Sequence, residues 1–145
     1  MTSTSITTNS INFIDAHEST PVIHDVNLEV YDLSSYLSSN ILLRGSFKAL
    51  MAYKLGNMCF LHWEFTLQSR LIQHSVIYAS ETLPSEICPP RPVFAFSDGT
   101  AFDILSVSIR DNKRLAVNQY IKDTTASDTD NPNELVRGNT WYPLV

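Results

Sequence analysis

From Met58 to Leu67 the odd-numbered residues, Cys59, Leu61, Trp63, Phe65 and Leu67, are all apolar. Residues two apart fall on nearly opposite sides of a helix but line one face of a strand. The segment therefore predicts a strand with one face in a core. Its even positions, Met58, Phe60, His62, Glu64 and Thr66, form a second face that starts apolar and ends polar. An exposed apolar patch calls for a partner, so Met58, Phe60 and His62 are candidate oligomer contacts.

The same two-residue period recurs along the chain. Phe47, Ala49, Met51 and Tyr53 alternate with Lys48, Leu50, Ala52 and Lys54, and Leu55-Gly56-Asn57 supplies a turn. Upstream, Val22, Val26, Leu28 and Val30 predict a strand over Val22 to Tyr31. Asp32 to Leu37 then reads either as one helical turn capped by Asp32 or as a loop. Downstream, Leu71 to Ala79 reads as a strand, and Ser80 to Arg91, with Pro84, Pro89 and Pro90, as a loop. Val93 to Phe96 predicts a short buried strand. Phe102–Arg110 and Arg114–Ile121 predict a hairpin joined through Asp111-Asn112-Lys113. Residues 122–133 are an acidic polar loop, and Glu134 to Val145 a last strand or a pair of short ones. At least six short strands without a helical period predict an all-β fold: a small antiparallel β-sandwich, jelly-roll-like, with an extended N-terminal arm. Trp63, Phe65, Phe94, Phe96 and Phe102 are its expected core aromatics.

A chain of 145 residues fits one domain. Its net charge of −5 is unevenly spread. The first basic residue is Arg44, preceded by Asp15, Glu18, Asp25, Glu29 and Asp32, and from Arg44 onward 10 bases face 10 acids. Residues 1–40, acidic and rich in Ser and Thr, read as a flexible arm, and residues 41–145 as the β-sandwich head. Such a balance argues against a nucleic-acid partner, which would need basic residues matched to phosphates. No stretch approaches the roughly 18 apolar residues of a membrane-spanning helix. Met1 to Ser10 lacks the basic start and apolar stretch of a secretory signal. Cys59 and Cys88 read as free, mostly buried thiols.

No catalytic set emerges. The histidines are His17, His24, His62 and His74. Asp15, His17 and His24 match no ligand spacing with a mechanism behind it, and His62 and His74 read as a surface or interface pair. Asp98 and Asp103 flank a glycine turn, and Asp123, Asp128 and Asp130 fall in the polar loop. The chain has no GxSxG elbow and no phosphate-binding glycine loop. No enzyme, cofactor or metal is expected. Tyr120, Trp141 and Tyr142 lie near loop ends, where aromatic rings can pack, stack on sugars or anchor a protein, and they are the candidate ligand-binding residues.

Four stretches together resemble a known family. Tyr53-Lys54-Leu55-Gly56-Asn57-Met58-Cys59-Phe60-Leu61-His62-Trp63 is similar to the strand–turn–strand opening of bacteriophage tail-fibre and baseplate head domains. Leu83-Pro84-Ser85-Glu86-Ile87-Cys88-Pro89-Pro90-Arg91-Pro92 resembles their Leu-Pro loop, Ile104 to Leu115 their later hairpin, and Thr140 to Val145 their aromatic final strand. The family's glycine is missing from Asp111-Asn112-Lys113, and no collagen-like or coiled-coil shaft precedes the head. The resemblance covers residues 44–145. It implies a non-enzymatic virion protein made in the host cytoplasm: a homotrimeric fibre or baseplate tip that binds a host-surface carbohydrate or receptor. The short leader implies docking to a neighbouring virion protein through the N-terminal arm. A virion decoration protein without host binding, and a stand-alone carbohydrate-binding module, are the alternatives.

Overall fold

The computed structural model describes residues 5–15, 22–68, 76–99, 104–121 and 133–145, with backbone alone at 5–15, 22–26, 98–99, 104 and 119–121. Its strands are β1 (Ser5–Asp15), β2 (Val22–Asp32), β3 (Ala49–Leu55), β4 (Met58–Leu67), β5 (Val76–Thr82), β6 (Val93–Gly99), β7 (Ile104–Ile109), β8 (Arg114–Ile121) and β9 (Glu134–Pro143). They hydrogen-bond in the continuous order β1-β2-β3-β4-β9-β6-β7-β8-β5, every pairing antiparallel.

That ribbon doubles over into an antiparallel β-sandwich. One sheet is β2-β3-β4-β9, with β1 outboard of β2, and the other is β6-β7-β8-β5. β9 joins them, pairing with β4 from Met58–Pro143 to Leu67–Glu134 but with β6 only at Asp98–Arg137 and Gly99–Val136. In the second sheet β5 lies beside β8 rather than β6, a Greek-key return carried by the proline-rich connection. Leu61 and Trp63 of β4 face Val107, Ile109 and Leu115 across a gap of only about 10 Å³, so the two inner faces are closely packed.

The odd positions of β4 all lie in this core, each at most 1% exposed. The proline-rich loop seals one end. Its 3₁₀ turn, Ser85–Ile87, buries Ile87, whose carbonyl accepts the Tyr142 hydroxyl at 2.7 Å. Cys88 donates its thiol to the Pro84 carbonyl. Both cysteines are free thiols, Cys59 buried and Cys88 half-buried, and burial pushes both thiols above their ordinary pKa, away from the reactive thiolate.

Two expectations are corrected here. First, the division at residue 40 does not follow the packing. Tyr31, Leu33 and Leu37 are core residues, Leu33 donates its backbone N–H to Leu50 at 2.8 Å, and Leu37 forms a bridge with Ser80. The charge boundary marks where exposed carboxylates end, and it carries no information about apolar side chains between them. Between Asp32 and Leu37 runs a 3₁₀ turn, Ser34–Tyr36, with the Asp32 carboxylate accepting the Ser34 N–H. Second, Phe94 and Phe96 are outside the core, at 64% and 72% exposure. The inward side of β6 is Val93, Ala95 and Ser97, and Ser97 accepts the Trp63 indole N–H at 3.0 Å. Trp63 fills the space opposite and leaves room for small side chains only.

The β7–β8 hairpin turns through Asp111-Asn112-Lys113, with Lys113 in the left-handed region at φ 59°. This is the conformation the missing glycine would have adopted freely. The Lys113 ammonium donates to the Pro89 carbonyl at 3.0 Å, tying the turn to the proline-rich loop. Lys113→Val is expected to lower stability by about 1–2 kcal/mol more than Lys113→Gly, because both lose that bond but only valine is strained at positive φ. Urea midpoints of the two variants check this, and equal midpoints would refute the strain at Lys113.

Candidate functional site

The outer face of the β2-β3-β4-β9 sheet carries an aromatic stripe. Since the odd residues of β4 point into the core, its even residues point out, and strand register brings Val30, Tyr53, Phe60 and Trp141 into one row across four strands. The Tyr53 and Phe60 rings lie 5.9 Å apart between centroids and the Phe60 and Trp141 rings 4.9 Å apart, both pairs tilted. Such tilted contacts satisfy the ring quadrupoles. Leu28, Leu55, Met58 and Pro143 form the row on one side, and Asp32, Met51, His62 and Asn139 the row on the other. Met58 is 41% and Trp141 58% exposed. Val30, Tyr53, Leu55 and Phe60 are half-buried, so the stripe is apolar, most open at Trp141 and Met58, with polar groups at its margin.

This placement regroups the candidate residues. Met58, Phe60 and His62, expected at an oligomer contact, share one face with Trp141, expected at a ligand. Tyr142 is corrected: it is 1% exposed on the opposite side of β9, paired with Cys59, and its hydroxyl is committed to the Ile87 carbonyl. Burial pushes its phenol above the ordinary pKa, keeping it a hydrogen-bond donor. A strand turns neighbouring side chains to opposite faces, so Trp141 and Tyr142 cannot serve one surface. Tyr120 lies in β8 with its side chain outside the described residues. His17, His74, Phe102, Asp103, Asp123, Asp128 and Asp130 also lie outside the described residues, as do the side chains of Asp15, His24 and Asp98.

The outer face of the second sheet is built differently. Register sets Phe94, Ser108, Ala116 and Tyr78 in one row and Phe96, Ser106, Asn118 and Val76 in the next. Large apolar side chains stand on the edge strands β6 and β5, and small or polar ones lie between them on β7 and β8. Hydrophobicity alone assigned the two phenylalanines inward. The missed signal is the alternation of Ala95 and Ser97 with them, whose meaning depends on Trp63.

Glu29, Tyr31 and Lys54 form a modestly coupled cluster. The Tyr31 hydroxyl donates to Glu29 at 2.7 Å, and Lys54 lies 3.5 Å from the same carboxylate oxygen. The Tyr31 bond, and then the Lys54 charge, hold the Glu29 carboxyl below its ordinary pKa. Both charged side chains are partly exposed, so the pair adds little stability. Among the described residues, no three His, Cys, Asp or Glu side chains are placed to hold a metal ion. No described helix is long and apolar enough to cross a membrane.

Fold and surface define a class, a small antiparallel β-sandwich with aromatic groups on both outer faces. No protein-family model matches the chain, and no curated protein matches its sequence.

Proposed function

We propose that this chain is a non-enzymatic bacteriophage virion protein, a tail-fibre or baseplate head that self-associates through its aromatic stripe and binds a host-surface glycan or receptor. The observation that carries this reading is the row of half-buried Tyr53 and Phe60 with exposed Trp141, flanked by exposed Met58. Contiguous exposed apolar surface on a soluble domain marks a contact with a partner. The zero net charge of the chain from Arg44 onward opposes assembly little. Around a threefold axis the stripes of three copies would meet and bury one another. β1, at the end of the strand order, offers a backbone edge for strand addition to a neighbouring virion protein.

Light scattering coupled to gel filtration tests the assembly. The native chain is expected near three times 16.3 kDa, and Trp141→Ser at the monomer mass with an unchanged melting temperature. A native monomer overturns the reading. The stripe itself favours a second reading, a stand-alone carbohydrate-binding module, because a row of rings can stack on successive sugars. On that reading the native chain is a monomer, and Trp141→Ser abolishes glycan binding instead. A decoration protein that binds no host would keep the trimer and bind no glycan.

A further inference from the structure

We propose that the outer face of the β6-β7-β8-β5 sheet is a binding site for an acidic saccharide, whose carboxylate pairs with Arg110 and whose sugar ring lies against Phe94 and Phe96. This rests on the adhesive reading above and names the ligand class and the surface that it leaves open.

The first support is shape. Phe94 and Phe96 on one side and Val76 and Tyr78 on the other are all at least 36% exposed, while Ser108 and Ala116 between them are 5% and 1% exposed. The face is therefore a trough with tall apolar walls and a low floor. It holds a depression of about 310 Å³ lined by Phe94, Ala95, Phe96, Ser106, Arg110 and Asn118, within the size range of small-ligand sites.

Second, two polar atoms in that depression are unmatched. Among the described residues, Arg110 Nε and Asn118 Oδ1 are buried without a hydrogen-bond partner, and both belong to this lining. Folded proteins rarely leave such atoms unpaired, and a ligand seated in the depression would pair both. The neighbouring cations are engaged elsewhere. Arg114 lies over the Tyr78 ring at 4.8 Å and donates to the Ser80 carbonyl at 2.8 Å, and Lys113 donates to Pro89.

Third, the complement of these groups is specific. Arg110 Nε–H requires an acceptor and, as part of a cation, favours an anionic one. Asn118 Oδ1 requires a donor, which a hydroxyl supplies. The exposed phenylalanine rings present an apolar surface that the C–H face of a pyranose complements. A carboxylated sugar carries all three features on one ring. A second copy of the chain is a poorer occupant. The trough and the stripe are on opposite outer faces, so joining one to the other would build an open filament rather than a closed trimer.

Glycan-array binding of the native chain, Arg110→Gln, Phe96→Ser and Trp141→Ser tests this, with uronic- and sialic-acid oligosaccharides set against their neutral counterparts. The native chain is expected to prefer the acidic sugars. Arg110→Gln should lose about tenfold or more on the acidic ligands and little on the neutral ones. Phe96→Ser should weaken both, and Trp141→Ser should lower both only through lost multivalency, with the acidic-to-neutral ratio unchanged. Phe96 is exposed enough for its variant to fold, which a thermal melt verifies. Equal binding of acidic and neutral sugars, or unchanged acidic binding by Arg110→Gln, overturns the proposal. Loss confined to Trp141→Ser moves the sugar site to the stripe, which overturns the trough and leaves adhesion standing. Failure of the native chain to bind any saccharide also overturns it, and the ligand-free trimer measurement then judges the virion reading separately.

Discussion

A chain lacking residues 1–40 is expected not to fold. The truncation removes Tyr31, Leu33 and Leu37, exposed by 3%, 0% and 3%, and the Leu28–Leu55 to Asp32–Met51 ladder that completes the edge of β3. It also removes the Ser34 hydroxyl that accepts the Leu50 N–H and the Ser38 N–H that donates to Ala79. Burial of three such side chains is worth about 5–9 kcal/mol, comparable with the roughly 5–15 kcal/mol that holds a domain of this size together. Circular dichroism of the fragment should show no cooperative melt. Removal of residues 1–21 alone leaves those contacts in place and is expected to preserve one. A 41–145 fragment that melts cooperatively would restore the boundary suggested by the charge pattern.

Gly138→Ala is the second large effect, and its sign is unusual. In a strand interior, alanine is normally the better residue by roughly 0.5–1 kcal/mol. At Gly138 a Cβ would sit 2.8 Å from Trp63 Cζ2 and 3.1 Å from Cε2. The indole cannot swing away. Trp63 is fully buried, and its N–H is held by Ser97, whose hydroxyl donates in turn to the Arg137 carbonyl at 2.7 Å. Overpacking of this kind costs about 1–3 kcal/mol, a fall in Tm of roughly 4–12 °C. Calorimetry of Gly138→Ala, Trp63→Phe and the double variant separates the clash from other losses. The smaller ring makes room, so the double variant should be less destabilised than the sum of the two single ones. Strict additivity, or a Gly138→Ala variant as stable as the parent, would mean that the ring does not press on this backbone.

These outcomes follow from features of very unequal visibility in the sequence. The core face of β4 was plain because five alternating apolar residues leave one phase open. The β7–β8 hairpin was plain because Leu105, Val107, Ile109, Leu115 and Val117 alternate about a polar turn. The phase of β6 was not, since Val93, Ala95 and Ser97 are weaker hydrophobes than the phenylalanines between them. Only the bulk of Trp63, distant in the chain, makes the small set the inner one. The stripe was half visible. Met58, Phe60 and His62 follow from β4 itself, but Tyr53 and Trp141 join them through registers with two other strands. That between β4 and β9 spans most of the head. The same register decides that Trp141 faces out and Tyr142 in, which no local property of two adjacent aromatics could do. The trough needed three pairings at once.

β9 has a further consequence for how the molecule comes apart. It is hydrogen-bonded to β4 of its own sheet and to β6 of the other, and the Trp63–Ser97–Arg137 chain crosses from β4 to β6 at the same place. Neither sheet can detach without stripping a ladder from the other and opening the pocket around the indole. Such shared bonding couples the two halves into a single cooperative unit, with no half-sandwich left as a stable intermediate.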